Sequence, residues 1–232
     1  MKSLICIPTY NEIENIEKLI HEINLQCPQS SILIVDDDSP DGTGKIVDQL
    51  IKKNPNLFVL HRKGKLGLAS AYIEAFNYAI KNNYDCAISM DADFSHDPKY
   101  LKDHLHKIND YDFVIGSRYV EGGGTKNWPF YRKFISKSGN VYANLFLHTP
   151  FQDLTGGFNC FKISTLNNIE LSQIKSEGYC FQIEIKFRCF QKKFQGTETP
   201  IIFEDRRVGQ SKMSSKIVME AMLTVPFLKK NI

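Results

Sequence analysis

Along the first half of the chain, short apolar runs alternate with segments whose apolar residues recur at helical spacing. Leu4–Ile7 reads as a strand, and Ile13, Ile16, Ile20 and Ile23 then mark one face of a helix. Ile32–Val35 is a second strand, followed by Ile46, Val47, Leu50 and Ile51 on a second helix. Leu57–Leu60 is a third strand, and a helix follows over about Leu68–Ile80. Ala87–Met90 is the fourth strand, a helix follows Pro98, and Phe113–Ile115 is the fifth strand. This alternation predicts an α/β fold, with a mostly parallel central sheet and helices on both faces. In such sheets ligands bind beyond the carboxyl ends of the strands.

After Arg118 the texture changes. Glu121-Gly122-Gly123-Gly124-Thr125 reads as a flexible loop, a candidate lid. Trp128–Leu147 is helical in pattern, opened by Pro129 near its first turn. Thr155–Lys162 reads as a glycine-marked turn into a strand, Tyr179–Phe194 as a helix and Glu198–Phe203 as a strand. Lys216–Lys230 reads as an amphipathic helix, with Ile217, Val218, Ala221, Met222, Val225 and Leu228 on one side. Such a tail either packs on the domain or lies on a membrane surface. No stretch approaches the roughly 18 apolar residues of a membrane span. The simplest division is one domain over 1–214 and a C-terminal amphipathic helix over 215–232, with no transmembrane segment.

Composition narrows the classes. A chain of 232 residues can bury one sizeable core. The net charge of +3, with no dense Lys/Arg block, gives no support to a nucleic-acid partner and suits an anionic substrate or membrane face only weakly. The six cysteines are scattered without a C-x-x-C pair, which argues against zinc and for buried thiols in a reducing cytosol. The chain starts directly in a strand with no signal peptide pattern, so a cytoplasmic location is expected.

The polar motifs fall at the strand ends: PTYNE (Pro8–Glu12), VDDDSPDGT (Val35–Thr43), DADFSHDP (Asp91–Pro98) and GSRY (Gly116–Tyr119). Core packing alone does not place acidic residues there repeatedly. Asp91 and Asp93, one residue apart after an apolar strand, can converge on Mg²⁺ or Mn²⁺ holding a pyrophosphate. An Asp-x-Asp also serves as a turn former or helix cap. Among the earlier acids, Asp41 or Thr43 caps the second helix, leaving Asp36 or Asp37 to face a ligand. Arg118, Arg132, Arg206 and Lys212 are candidate phosphate contacts, Arg132 with solvation on a helix surface as the alternative; Arg207 reads as a surface residue. His96 is a general-base candidate, but its place before Asp-Pro favours buttressing the loop.

Taken in order, PTYNE, VDDDSPDGT, GKLGLASAY, MDADFSHDP, GSRYVEGG, TGGF, EGYCFQIE and DRRVGQSK resemble the dolichol-phosphate or polyprenol-phosphate mannose synthases, across about Leu4 to Lys212. These are inverting glycosyltransferases of the GT-A fold, which makes 1–214 the catalytic domain. The resemblance implies transfer of mannose from GDP-mannose to a polyprenyl or dolichyl phosphate, assisted by Mg²⁺ or Mn²⁺. By resemblance, Pro8, Tyr10, Glu12, Val35 and Asp37 cradle the guanosine. Asp91 and Asp93 hold the metal, with Ala92 behind the nucleotide. Arg118, Arg206 and Lys212 contact the phosphates and sugar nucleotide, and Arg132 lies near the acceptor phosphate. Asp93, Arg118 and Arg132 are thus the expected catalytic set. Ser95 stands where some members carry a glutamine, which puts a third side-chain ligand in doubt. A lipid acceptor implies peripheral contact with the cytoplasmic face of a membrane, directly or through a small anchoring subunit. UDP-glucose as donor, or a sugar-nucleotide-binding subunit without turnover, are the alternatives. A processive polysaccharide synthase fits poorly, since the one tryptophan, Trp128, lies outside any Gln-x-x-Arg-Trp motif.

Overall fold

In the computed structural model, residues 1–205 and 223–229 are described. The elements run β1 (Ser3–Thr9), α1 (Ile16–Gln26), β2 (Ser31–Asp36), α2 (Thr43–Ile51), β3 (Leu57–His61), α3 (Leu68–Lys81) and β4 (Cys86–Ser89). A 3-10 turn (Pro98–Tyr100) leads into α4 (Leu101–Lys107) and β5 (Phe113–Ser117). The rest comprises β6 (Gly124–Lys126), α5 (Phe130–Leu147), β7 (Asn159–Lys162), α6 (Ile163–Asn168), α7 (Gly178–Gln191), β8 (Gly196–Pro200) and β9 (Ile202–Glu204).

Seven strands form the central sheet in the order β3-β2-β1-β4-β7-β5-β8. Period-two alternation divides its side chains between two cores. Leu4, Cys6, Leu33 and Val35 join α3, α5 and α7 on one face. Ile5, Ile7, Ile32 and Ile34 join α1, α2 and α4 on the other. Helices therefore cover both faces, as the alternating pattern requires.

Strand β7 is antiparallel to both neighbours, β4 and β5. Because it runs backwards, it begins at the carboxyl edge: Asn159 lies opposite Ser89 of β4 and Ile115 of β5. The loop before it, 153–158, is delivered to the same edge as the polar motifs.

Several local expectations change. Helix α1 starts at Ile16, not Ile13, because the Ile13 amide is held outside the helix by Asp41 Oδ2 at 3.1 Å. The expected strand Glu198–Phe203 is two strands. Pro200 closes β8, Ile201 donates its amide to Ser117 O at 2.9 Å, and β9 pairs with β6 instead. The Gly122–Gly124 run is packed rather than open. Gly123 donates to Val120 O and Gly124 to Ile201 O, and a Cβ on Gly123 would meet Ser117 O at 2.6 Å. Helix α6 carried too short an apolar pattern to be expected.

Of the predicted C-terminal helix, 223–229 is helical, with Val225 and Leu228 buried in the core cluster that also holds Ala143 and Leu147. The remainder of 215–232 lies outside the described residues. Among the described residues no helix is long and apolar enough to cross a membrane.

Candidate active site

The edge formed by β1 and β2 is organised by carboxylates of different duty. Asp36 is fully engaged: Thr9 Oγ1 and Ser39 Oγ donate to Oδ1 at 2.8 and 2.6 Å, and the Ser39 amide to Oδ2 at 3.1 Å. Asp41 accepts from the Thr43 amide and hydroxyl at 2.9 and 2.6 Å and fixes the start of α2. Burial pushes its carboxyl up, but the Thr43 and Ile13 hydrogen bonds outweigh this and hold it below 3.8. Of the two ligand-facing candidates, Asp37 is the one with spare capacity. Its Oδ2 accepts the Leu66 and Gly67 amides at 3.1 and 3.3 Å. Its Oδ1 faces Arg62 Nη1 at 3.2 Å as an ion pair, yet is buried without a hydrogen-bond partner. Around it, Lys65 Nζ sits 4.1 Å from the centre of the Tyr10 ring, and Glu12 accepts from Asn15 Nδ2 at 2.9 Å. Pro8 and Val35 are cross-strand partners on β1 and β2, with Val35 in the core.

The loop after β4 carries the acidic pair. Tyr72 of α3 donates its hydroxyl to Asp91 Oδ1 at 3.0 Å; burial, then the Asp91 charge, push the phenol well above its usual range. The Asp91 amide donates to His96 Nδ1 at 3.0 Å, which spends that ring nitrogen on shaping the loop. His96 is buried, stacked on Phe158 with ring centres 5.0 Å apart, and its pKa is lowered by burial against the raising effect of Asp91 and Asp93. The buttressing role expected of it is what this geometry provides. Asp93 accepts the Ser95 amide at 3.1 Å, and Ala92 is buried behind the pair. Ser95 Oγ is buried and has no hydrogen-bond partner. Two carboxylates one residue apart are oxygen donors of the kind suited to Mg²⁺ or Mn²⁺. No group of three or more His, Cys, Asp or Glu able to hold a metal occurs among the described residues. A cation held here would draw its other ligands from substrate phosphates or water.

Arg118 follows β5 and is almost completely buried against Asp153. Its Nε and Nη2 each donate at 2.7 Å to opposite oxygens of that carboxylate, its amide donates to Oδ2 at 3.0 Å, and Nη2 also reaches Thr155 Oγ1 at 2.7 Å. Burial raises the Asp153 pKa, but the Arg118 charge and hydrogen bonds prevail and hold it below 3.8. Beneath the same loop, fully buried Lys186 of α7 donates to Leu154 O and Gly156 O at 2.8 and 2.6 Å. Burial, opposed by Asp153, lowers its pKa to about 7.

Arg132 of α5 is also buried, which removes the surface reading. Nη1 meets Asp205 Oδ1 at 2.7 Å, the guanidinium lies 4.2 Å from the Trp128 ring centre, and Nε is buried without a partner. Asn140 of the same helix ties α5 to the loop, accepting the Leu154 and Thr155 amides at 2.7 and 3.2 Å.

The loop 153–158 joins the acidic and basic sides. Its Asp153 end holds Arg118. At its other end Ser89 donates to Gly157 O at 2.6 Å, and a Cβ on Gly157 would lie 3.4 Å from His96 and 3.9 Å from Asp91 Oδ2. Asp153, Thr155, Asn140, Tyr72 and Lys186 were not singled out in the sequence. Asp153 stands just before the TGGF motif, but its partner Arg118 is 35 residues away, so no spacing revealed the pair. Arg206, Arg207 and Lys212 lie outside the described residues.

A mostly parallel sheet that gathers an acidic pair and buried arginines at its carboxyl edge has the architecture of the GT-A glycosyltransferases. The chain belongs to glycosyl transferase family 2, whose model matches residues 4–169. It is 41% identical over 226 residues to the polyprenol monophosphomannose synthase of Mycolicibacterium smegmatis, covering 97% of this chain and 85% of that one. It is 42% identical over 225 residues to the undecaprenyl-phosphate mannosyltransferase of Micrococcus luteus, covering 97% of this chain and 93% of that one. The fold is shared with glucosyl-3-phosphoglycerate synthase from Mycobacterium tuberculosis, solved with Mn²⁺ and UDP, at a TM-score of 0.68 and 12% identity over 97% of this chain and 78% of that one. A mannosyltransferase from Pyrobaculum calidifontis, solved with GDP-Man and Mn²⁺, matches at a TM-score of 0.62 and 14% identity over 98% of this chain and 69% of that one.

Proposed function

We propose that the protein transfers mannose from GDP-mannose to a polyprenyl monophosphate, giving the polyprenyl phosphate β-mannose by direct displacement. The observation that carries this reading is the 153–158 loop, held at one end by Ser89, two residues before Asp91, and at the other by Arg118, in a chain more than two-fifths identical to relatives named for this reaction. Asp91 and Asp93 would hold a divalent cation, Mg²⁺ or Mn²⁺, which would supply Lewis-acid stabilisation of the departing nucleoside diphosphate.

The protein's own residues do the remaining work. Asp37, whose Oδ1 is ion-paired with Arg62 but accepts no hydrogen bond, is the carboxylate set against a base amide, with Tyr10 and Glu12 at the rim. Tyr72 and the His96-shaped loop hold Asp91 in place. The acceptor phosphate is already anionic near neutral pH, so it needs no general base, in keeping with His96 being committed to the Asp91 amide. What it needs is relief from repulsion by the donor pyrophosphate, and in-line placement. Arg132, with an unpartnered buried Nε, and Arg118, rigidly seated on Asp153, are the groups suited to that task. Arg206 and Lys212 complete the phosphate contacts in this reading. The chain works at the cytoplasmic face of a membrane, where such acceptors are embedded.

The test is transfer of labelled sugar to a short polyprenyl phosphate, from GDP-mannose and from UDP-glucose, with Mg²⁺, Mn²⁺ or chelator. Metal-dependent labelling from GDP-mannose alone is expected. Asp93→Asn should lower kcat by about 100-fold or more, since metal stabilisation of transition-state charge is worth several kcal/mol. Labelling from UDP-glucose alone would replace the donor, and full activity of Asp93→Asn would remove the metal pair from the mechanism.

A further inference from the structure

Trp128, the single tryptophan of the chain, is buried on the basic side of the candidate site. It lies between β6 and α5. Asn127 before it adopts a left-handed backbone, φ 62°, and donates its side-chain amide to Glu204 Oε1 at 3.3 Å. Pro129 after it is the N-cap of α5, and a residue that precedes proline is biased toward extended backbone. Between these two fixed neighbours the indole is turned inward, to 7% exposure. There it meets both candidate phosphate arginines. The Arg132 guanidinium lies 4.2 Å from the ring centre and that of Arg118 5.6 Å, both within cation–π range.

Packing accounts for the ring but not for its nitrogen. Trp128 Nε1 is buried without a hydrogen-bond partner, and so is Arg132 Nε. A buried indole N–H ordinarily has a partner, and a buried donor left unpaired is costly. Both groups are donors only, so only an acceptor can complete them. Two orphan donors on one indole–guanidinium stack call for a single acceptor-rich group. Charge narrows its chemistry. Arg118 is forked onto Asp153, whereas Arg132 meets Asp205 through Nη1 and keeps Nε. A phosphate monoester supplies several acceptor oxygens and negative charge together. A sugar hydroxyl brings no charge to set against the guanidinium.

We infer that Trp128 is a substrate-contacting residue, its indole N–H donating to an oxygen of the acceptor's monophosphate beside Arg132 Nε. The inference rests on the lipid-phosphate reading above and adds to it an uncharged contact. Its place also separates the two phosphate-bearing substrates. Three contacts lie between Trp128 and the acidic pair: indole to Phe203 with ring centres 5.3 Å apart, Phe203 to His96 at 5.5 Å, and His96 to the Asp91 amide. The indole is thus on the arginine side of the site, and the donor pyrophosphate proposed at Asp91 and Asp93 is on the other.

One tryptophan gives one indole N–H peak in a nitrogen–proton correlation NMR spectrum of the whole protein. The probes are a short-chain prenyl monophosphate, the matching prenol, and GDP with Mg²⁺; the prenyl phosphate is also added on top of GDP and Mg²⁺. The indole proton should move downfield, saturably, with the prenyl phosphate and with neither the prenol nor GDP and Mg²⁺ alone. Trp128→Phe keeps a ring for Arg132 and deletes the N–H. It should raise the KM for the prenyl phosphate about tenfold or more, the worth of one hydrogen bond to a charged group, and leave the KM for GDP-mannose unchanged. The parent's spectrum carries the test if that variant does not fold. An equal shift with GDP and Mg²⁺ alone assigns the indole to the donor and overturns the inference. An equal shift with the prenol reports the tail rather than the phosphate and overturns it too. So does a prenyl phosphate that moves backbone amides and leaves the indole in place, or an unchanged acceptor KM in folded Trp128→Phe. Failure of the transfer reading looks different: the prenyl phosphate moves no resonance and is not labelled, and the inference falls with it.

Discussion

Asp153→Asn tests whether the buried ion pair holds the basic side of the site together. The substitution preserves shape and removes one charge. In the parent, Asp153 is fully buried and accepts from Arg118 Nε, Nη2 and amide and from the Gly156 amide, all within 3.0 Å. An asparagine has one carbonyl oxygen for these donors and turns an NH₂ toward the guanidinium. Arg118, itself only 6% exposed, loses the carboxylate that balances its buried charge. Breaking a buried pair in this way costs about 3–5 kcal/mol. For a domain of this size that corresponds to a fall in Tm of roughly 6–20 °C. Urea titration followed by far-UV circular dichroism reads the stability directly, and labelled transfer to short polyprenyl phosphate reads the site. Activity should fall together with stability, and Asp153→Glu should not restore it, because the longer side chain cannot keep both oxygens in the same fork. A loss under about 1 kcal/mol would refute the reasoning, showing the pair to be worth no more than a surface salt bridge.

Tyr72→Phe removes the hydroxyl that donates to Asp91 Oδ1 and should weaken activating-metal affinity by about 10–100-fold while leaving kcat at saturating metal nearly intact; metal titrations of activity check this. For Lys186, the folded-state pKa of about 7 lies below the ordinary 10.5, so between those values the unfolded chain binds more protons and stability rises with pH. Below that window the buried ammonium exerts its full cost. Lys186→Met removes the linkage, so the parent's stability minus the variant's should climb by up to about 1.4 kcal/mol per pH unit across the window; parallel denaturation curves would contradict this. Gly196→Ala places a methyl on the Phe113 ring where β8 meets β5, and should cost about 1–3 kcal/mol in thermal unfolding with no change in metal dependence.

Much of the fold was legible because it is written in local periodicity. The strands β1 to β5 and the helices between them appeared as apolar runs and helical stripes within a few residues of their observed bounds, and parallel pairing followed from their alternation. The acidic candidates were legible too, since Asp91-Ala92-Asp93 and Asp36-Asp37-Asp38 stand where strands end. Which member does what was not. Asp36 and Asp37 are neighbours in sequence, yet Thr9 and Ser39 saturate one while the other pairs with Arg62 through an oxygen that accepts no hydrogen bond. Only the packing of β1 against β2 separates them.

The sequence by itself determined the α/β class and the placement of the polar motifs, Asp91 and Asp93 among them, at the carboxyl ends of strands, because each depends on residues close together in the chain. The tertiary structure decided the rest. It reversed β7 between β4 and β5, seated Arg118 on Asp153, put Lys186 beneath the loop and buried Arg132. Those outcomes depend on which groups meet across long sequence separations. Burial makes each such meeting costly unless its charges and hydrogen bonds are satisfied, and a linear pattern of apolar and polar residues does not record which partners satisfy them.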